Sequence, residues 1–171
     1  RVVGAGVIAF ERSRFVHLGS TGLDYEEAVH GGIGRGCLFR DIAGNGLLVG
    51  SFSPVAHETH LPYDPADRRE VCTHQRIENC YFTETGNEDW GCLAIAAGYV
   101  SDIHIVHNAI CEVPYSGISL GWGWTQTVNC MKNNQVHANL IHHYAKHMYD
   151  VAGIYTLGSQ PKRYVTENCV H

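Results

Sequence analysis

Two carboxylates, Glu112 and Asp150, occupy matching places in two near-copies of one pattern. The first copy reads Ile105-Val-His-Asn108-Ala-Ile110, then Glu112, then Gly117-Ile-Ser-Leu-Gly121. The second reads Val136-His-Ala-Asn139-Leu-Ile141, then Asp150, then Gly153-Ile-Tyr-Thr-Leu-Gly158. Two carboxyl groups flanking one bond supply an acid and a base or nucleophile, the chemistry of glycoside hydrolysis. If the two copies stack, the acids come to adjacent rungs of one face. Like charges at that range raise one pKa, as a proton donor requires. The plainer alternative is that each acid is solvated at a turn or caps it through backbone N–H groups.

Other side chains are candidates to hold a substrate. Tyr115, Trp122, Trp124 and Tyr155 offer planar faces to the C–H faces of sugar rings, and Gln160, His57 and His60 are further contact candidates. Tyr155 alternates with Ile154 and should face outward beside Ser119, whereas Trp122 points inward only if the strand stays regular past Gly121. Twelve histidines raise the question of a metal. The closest pairs are His57/His60, His104/His107 and His143/His147, with no H-E-x-x-H motif. His104 and His107 fall on a strand and the turn after it, a poor arrangement for joint ligation. No metal or other cofactor is expected. A polysaccharide lyase ranks second to a hydrolase. Lys132, Lys146, Lys162 and Arg163 avoid strand cores, and Asp64, Asp67 and Glu70 form no calcium motif. A non-catalytic β-helix that binds glycan or builds a shaft is the third reading.

Positioning such groups requires a repeat. The apolar-x-x-Asn-x-apolar unit recurs in weakened form at key positions 13, 36, 80, 108, 139 and 168. Each of the first five units is followed by a Gly-led apolar strand, at Gly22, Gly46, Gly91, Gly117 and Gly153. Val, Ile, Asn and Gly dominate, and the apolar period is 2 rather than 3.6, which excludes a two-helix solenoid. The pattern predicts an all-β fold, a right-handed parallel β-helix of five to six coils forming a single domain over residues 1–171. Asn108, Asn139 and Asn168 then form one structural column in which buried amides bond the backbone of neighbouring coils. The wide gap between positions 36 and 80 is filled by residues 51–75, which read as a loop inserted in the third coil. Residues 121–135 read as a second loop. Both ends look unfinished, which predicts that further coils of a longer parent chain flank this one.

Composition narrows the partners. Net charge is −5 with 12 Lys+Arg and no basic run, so duplex nucleic acid is excluded as a partner. No apolar stretch reaches the roughly 20 residues of a membrane-spanning helix. Seven cysteines without a C-x-x-C predict mainly buried free thiols.

Two segments carry a resemblance. Pro114-Tyr-Ser-Gly-Ile-Ser-Leu-Gly-Trp-Gly-Trp124 and Asp150-Val-Ala-Gly-Ile-Tyr-Thr-Leu-Gly-Ser-Gln-Pro161 resemble the right-handed β-helix carbohydrate-active enzymes, most closely glycoside hydrolase family 141. That family includes α-L-fucosidase and xylanase activities. The resemblance implies a polysaccharide or oligosaccharide partner, no metal in the chemistry, and a secreted, periplasmic or cell-surface setting. The family pattern has Asp ahead of the first segment and Asp-Gly-Gly in the second. This chain has Glu112 and Asp150-Val-Ala at those places.

Overall fold

The computed structural model describes residues 1–52 and 63–171. The predicted parallel β-helix is what it contains. Three parallel sheets of six strands each run the length of the molecule. Sheet 1 holds Val2–Val3, Leu23–Glu27, Leu47–Val49, Ile95–Ala97, Ile118–Leu120 and Ile154–Thr156. Sheet 2 holds Ala9–Glu11, Ile33–Arg35, Arg76–Glu78, His104–Val106, Gln135–His137 and Tyr164–Thr166. Sheet 3 holds Arg14–Leu18, Leu38–Ile42, Tyr81–Thr85, Ala109–Cys111, Leu140–His142 and Cys169–Val170. The chain visits sheets 2, 3 and 1 in turn, so each coil adds one strand to each. A short fourth sheet, Cys72–Thr73 with Val100–Ser101, lies at the corner between sheets 1 and 2. It falls inside the predicted 51–75 loop, so the chain rejoins the stack before residue 75.

Coils stack because alternate residues point into one core. Phe15, Phe39 and Phe82 share a register position and stack at 4.6 and 4.4 Å. Ile110 and Ile141 continue that column, both fully buried. Where the chain bends into sheet 1 the column is Gly22, Gly46, Ala94, Gly117 and Gly153. A Cβ at Gly46 would lie 2.6 Å from the Ala94 carbonyl oxygen, so only a small residue lets the coils approach there. The third copy is therefore led by Ala94 and not by the expected Gly91, which sits in the preceding turn.

The Asn column is present, with one correction. Register places Cys37 rather than Gly36 on the ladder, because Gly34, not Ile33, pairs with Ile77. Each ladder side chain reaches back one coil. Asn139 Oδ1 accepts from the Asn108 N–H at 2.9 Å, and its Nδ2 donates to the Ile105 carbonyl at 2.9 Å. Asn108 serves Cys80 and Ile77 in the same way, and Asn168 serves Asn139 and Val136. Cys80 copies the geometry with sulfur, accepting from the Cys37 N–H at 3.4 Å and donating to the Gly34 carbonyl. The smaller thiol holds the same two backbone groups with weaker bonds.

Corners are made by single left-handed residues. One column is Val7, Gly31, His74, Asp102, Asn133 and Lys162, and a second is Arg12, Gly36, Asn79, His107, Ala138 and Glu167. A third, leaving sheet 3, is His17, Asp41, Glu84, Glu112 and His143. A non-glycine residue there is disfavoured by about 1–2 kcal/mol, and persists because the bonds above and below fix the turn.

Two stability predictions follow from these columns. Asn139→Ala strands the buried Asn108 N–H and Ile105 carbonyl, each worth roughly 1–3 kcal/mol. Equilibrium denaturation should therefore show a loss of at least about 2 kcal/mol, and a smaller loss for Asn168→Ala, whose residue is only half-buried. Ala138→Gly should do the reverse of most glycine substitutions. Relief of the φ of +52° outweighs the entropy given to the unfolded chain, for a net gain on the order of 0.5 kcal/mol. An unchanged or lower midpoint would refute the strain argument.

Candidate active site

The outer face of sheet 1 is the floor of the site. Asp24, Leu48, Ala96, Ser119 and Tyr155 share one outward register position on successive coils, about 4.8 Å apart. Ile118 and Leu120 are buried while Ser119 and Tyr155 are half-exposed, as the alternation requires. One wall is built by the turns that lead from sheet 3 into sheet 1. The opposite wall is built by the loops that leave sheet 1.

Two of the predicted residues, Tyr115 and Asp150, meet at the first wall. The Tyr115 hydroxyl donates to the Asp150 carbonyl at 3.2 Å. Burial raises the Tyr115 pKa, and the Asp150 and Tyr155 side chains raise it further. The Ala152 N–H donates to Ser116 Oγ at 3.1 Å, tying this turn to the coil beneath. Asp150 itself is exposed and left-handed, with φ +54°.

Glu112 stands apart from that pair in register. The residue stacked on Glu112 in the next coil is His143, because the Val113 N–H bonds the His143 carbonyl. The turn 143–153 is longer than the turn 112–117, so Asp150 rises over Tyr115 and is not the next rung above Glu112. The electrostatics differ from expectation too. Lys146 forms an ion pair with Glu112. Its hydrogen bond holds the Glu112 carboxyl below the ordinary glutamate range, against a smaller opposing effect of desolvation. Glu112 is thus kept ionised, which suits a base or nucleophile rather than a proton donor.

The second wall carries the tryptophans. Trp122 is half-buried, meeting Phe52 and Trp124 edge-on, each at 5.3 Å, and packing on the cluster of Val71, Tyr99, Cys130 and Met131. Trp124 is 49% exposed and lines an open cleft of about 590 Å³ with Thr125, Gln126, Thr156 and Ser159. Gln160 is a correction to the expected substrate contact. Its Nε2 donates to the Leu120 and Leu157 carbonyls and its Oε1 accepts from Asn134, so the amide closes a loop. His57 and His60 lie outside the described residues. Among the described residues no three His, Cys, Asp or Glu side chains are grouped as metal ligands would be, and no helix is long and apolar enough to cross a membrane.

Three site residues escaped the sequence reading. Asp24 sits on the floor, where burial and then the neighbouring Glu26 raise its pKa. It was visible as the residue after Leu23, the outward place of its strand. Glu84 occupies the Glu112 position one coil earlier, a match that continuing the repeat past Phe82 would have shown. Trp90 lies in an irregular turn with no periodic signal.

No protein-family model matches the chain, and a search of curated proteins finds no match. One solved structure is highly similar, at 84% identity and a TM-score of 0.97. It is described as "Glycoside hydrolase". The likeness covers 99% of this chain and 28% of that one, so the chain spans well under a third of the structure it matches.

The Lys146 contact can be tested directly. Glu112 is ionised above its depressed pKa and becomes protonated as pH falls through it. In Lys146→Met the Glu112 carboxyl inflection, read by carbon NMR, should move up towards the ordinary glutamate range. An unmoved inflection would show that the ion pair does not hold the charge.

Proposed function

We propose that the protein is a glycoside hydrolase acting on a complex polysaccharide laid across the outer face of sheet 1. The observation that carries this reading is the 84% identity, over nearly the whole chain, to a structure described as a glycoside hydrolase. The site agrees with it in chemistry. Tyr115 and Asp150 join on one side of the floor that carries Tyr155, Trp124 stands on the other side, and Lys146 holds Glu112 ionised in the coil of Tyr115. In this reading Asp150, exposed beside two tyrosines, protonates the leaving oxygen, and Glu112 acts as base or nucleophile. The substrate polymer is met outside the cytoplasm. Likeness of the two segments at Pro114 and Asp150 favours family 141 within the class, and further coils of a longer chain complete the groove.

The test is release of reducing ends from a panel of plant and microbial polysaccharides. Asp150→Asn and Glu112→Gln should each lower kcat by roughly 10²–10⁴-fold with the fold retained by circular dichroism. Unsaturated products absorbing in the ultraviolet would instead assign a lyase. Full activity in both variants would overturn the assignment of the pair, and no cleavage of any polymer would overturn the hydrolase.

A further inference from the structure

The turn 112–117 is short, whereas the turns on either side of it, 86–94 and 143–153, are long. A trough one coil wide therefore opens between two walls. Gly86 lets the lower wall approach closely, since a Cβ there would lie 2.8 Å from the Pro114 ring. The backbone N–H groups of residues 86–89 bond carbonyls of the coil below, which fixes that wall. The upper wall is fixed likewise, because the Lys146, His147 and Met148 N–H groups bond the Val113 and Pro114 carbonyls.

The trough holds a cavity of about 150 Å³ lined by Glu84, Asn87, Glu112, Pro114, Lys146 and His147. That volume is about the share of five liquid waters, room for a single ring with its hydroxyls. At its rim the Trp90 and His147 rings stack at 4.8 Å and 22°. Trp90 nevertheless remains 51% exposed, and Tyr149, two residues after His147 in the turn that forms the upper wall, is 90% exposed. Large aromatic surface left bare on two rigid walls over a polar cavity is the mark of a binding site rather than of a core.

Charge decides what the ligand is. Glu84 and Glu112 are register neighbours, and both are left-handed, so they project from the same corner on adjacent coils. Arg40 reaches Glu84 from outside the cavity at 3.4 Å, and Lys146 pairs with Glu112 within it. Each carboxylate thus has one cation, which leaves the lining polar with no net charge to draw in an acidic sugar. Such a lining accepts hydrogen bonds from neighbouring hydroxyls through its carboxylates and offers no unpaired cation to hold an acidic sugar.

We propose that this trough is a subsite for one neutral sugar unit, with Trp90 as its stacking platform and Glu84 and Lys146 as its polar contacts. The proposal rests on the glycan-active reading for its ligand class, and not on which carboxylates perform the chemistry. It is tested by isothermal titration of the full-length protein with neutral xylo-, gluco- and manno-oligosaccharides of one to six units, and with oligogalacturonates. At least one neutral series should bind, Trp90→Ala should weaken it about tenfold, and Trp90→Phe should keep most of the affinity. Glu84→Gln should improve binding of the acidic series. Polymer cleavage by Trp90→Ala should show a raised KM with kcat held. Equal binding by Trp90→Ala, binding by no neutral series, or preference for the oligogalacturonates would each overturn the proposal. Binding that depends on Trp90 without any cleavage would leave the subsite standing and remove the hydrolase. Cleavage indifferent to Trp90 would do the opposite.

Discussion

The structure depends on one hydrogen-bonding constraint, that a buried corner must satisfy its backbone groups from a neighbouring coil. A solitary coil cannot do this, because the left-handed residue between sheets 2 and 3 turns the next N–H and the preceding strand's carbonyl inward. Asn presents a strong acceptor and a strong donor together at that distance, where the thiol of Cys80 makes the same two bonds more weakly. The amides of Asn108, Asn139 and Asn168 each fill both needs of the coil before them. Stacked phenylalanines and isoleucines then fill a core whose diameter the corners have already set.

The same corners that close the stack also arm the surface. A left-handed residue interrupts the in–out alternation, so its side chain leaves the coil at a fixed direction on every rung. At the corner leaving sheet 3 this produces a line of charged and titratable groups, His17, Asp41, Glu84, Glu112 and His143, spaced by the coil repeat. Like neighbours at that spacing are tolerable only with cations at hand. Arg40 and Lys146 supply them from coils on opposite sides of the acidic pair. Turn length is free to vary while strand register is not, so walls of different height can rise beside an unchanging floor.

Sequence and structure agree where period and spacing carried information. Four of the five expected sheet-1 strands, the inward isoleucines and the Asn column could be read because each repeats with fixed chemistry, whereas Ala94 hid the strand expected at Gly91. Errors arose where the ladder changed chemistry. Cys37 and Cys80 hold positions that Asn holds later, and without the amide as a marker the second copy was aligned one residue early, on Gly36. The site was legible in part for a similar reason. Tyr115, Asp150 and Tyr155 are near strands whose register is fixed, and Tyr115 meets Asp150 beside the floor position of Tyr155. Glu112 and Asp150 could not be stacked correctly by counting from the glycines, because the extra residues of 143–153 are taken up in a bulging turn. Gln160 looked like a free polar side chain, and only three-dimensional closure of its loop shows the amide committed to backbone.

The ladder also has a direction. Each amide or thiol in it bonds the backbone of the coil that precedes it in the chain, while Asn108 and Asn139 meet the coil that follows through the next Asn side chain. A coil is therefore finished only once its successor has arrived. A coil without its successor keeps one corner N–H and one strand carbonyl open, so each corner is shaped to receive the coil that follows it in the chain.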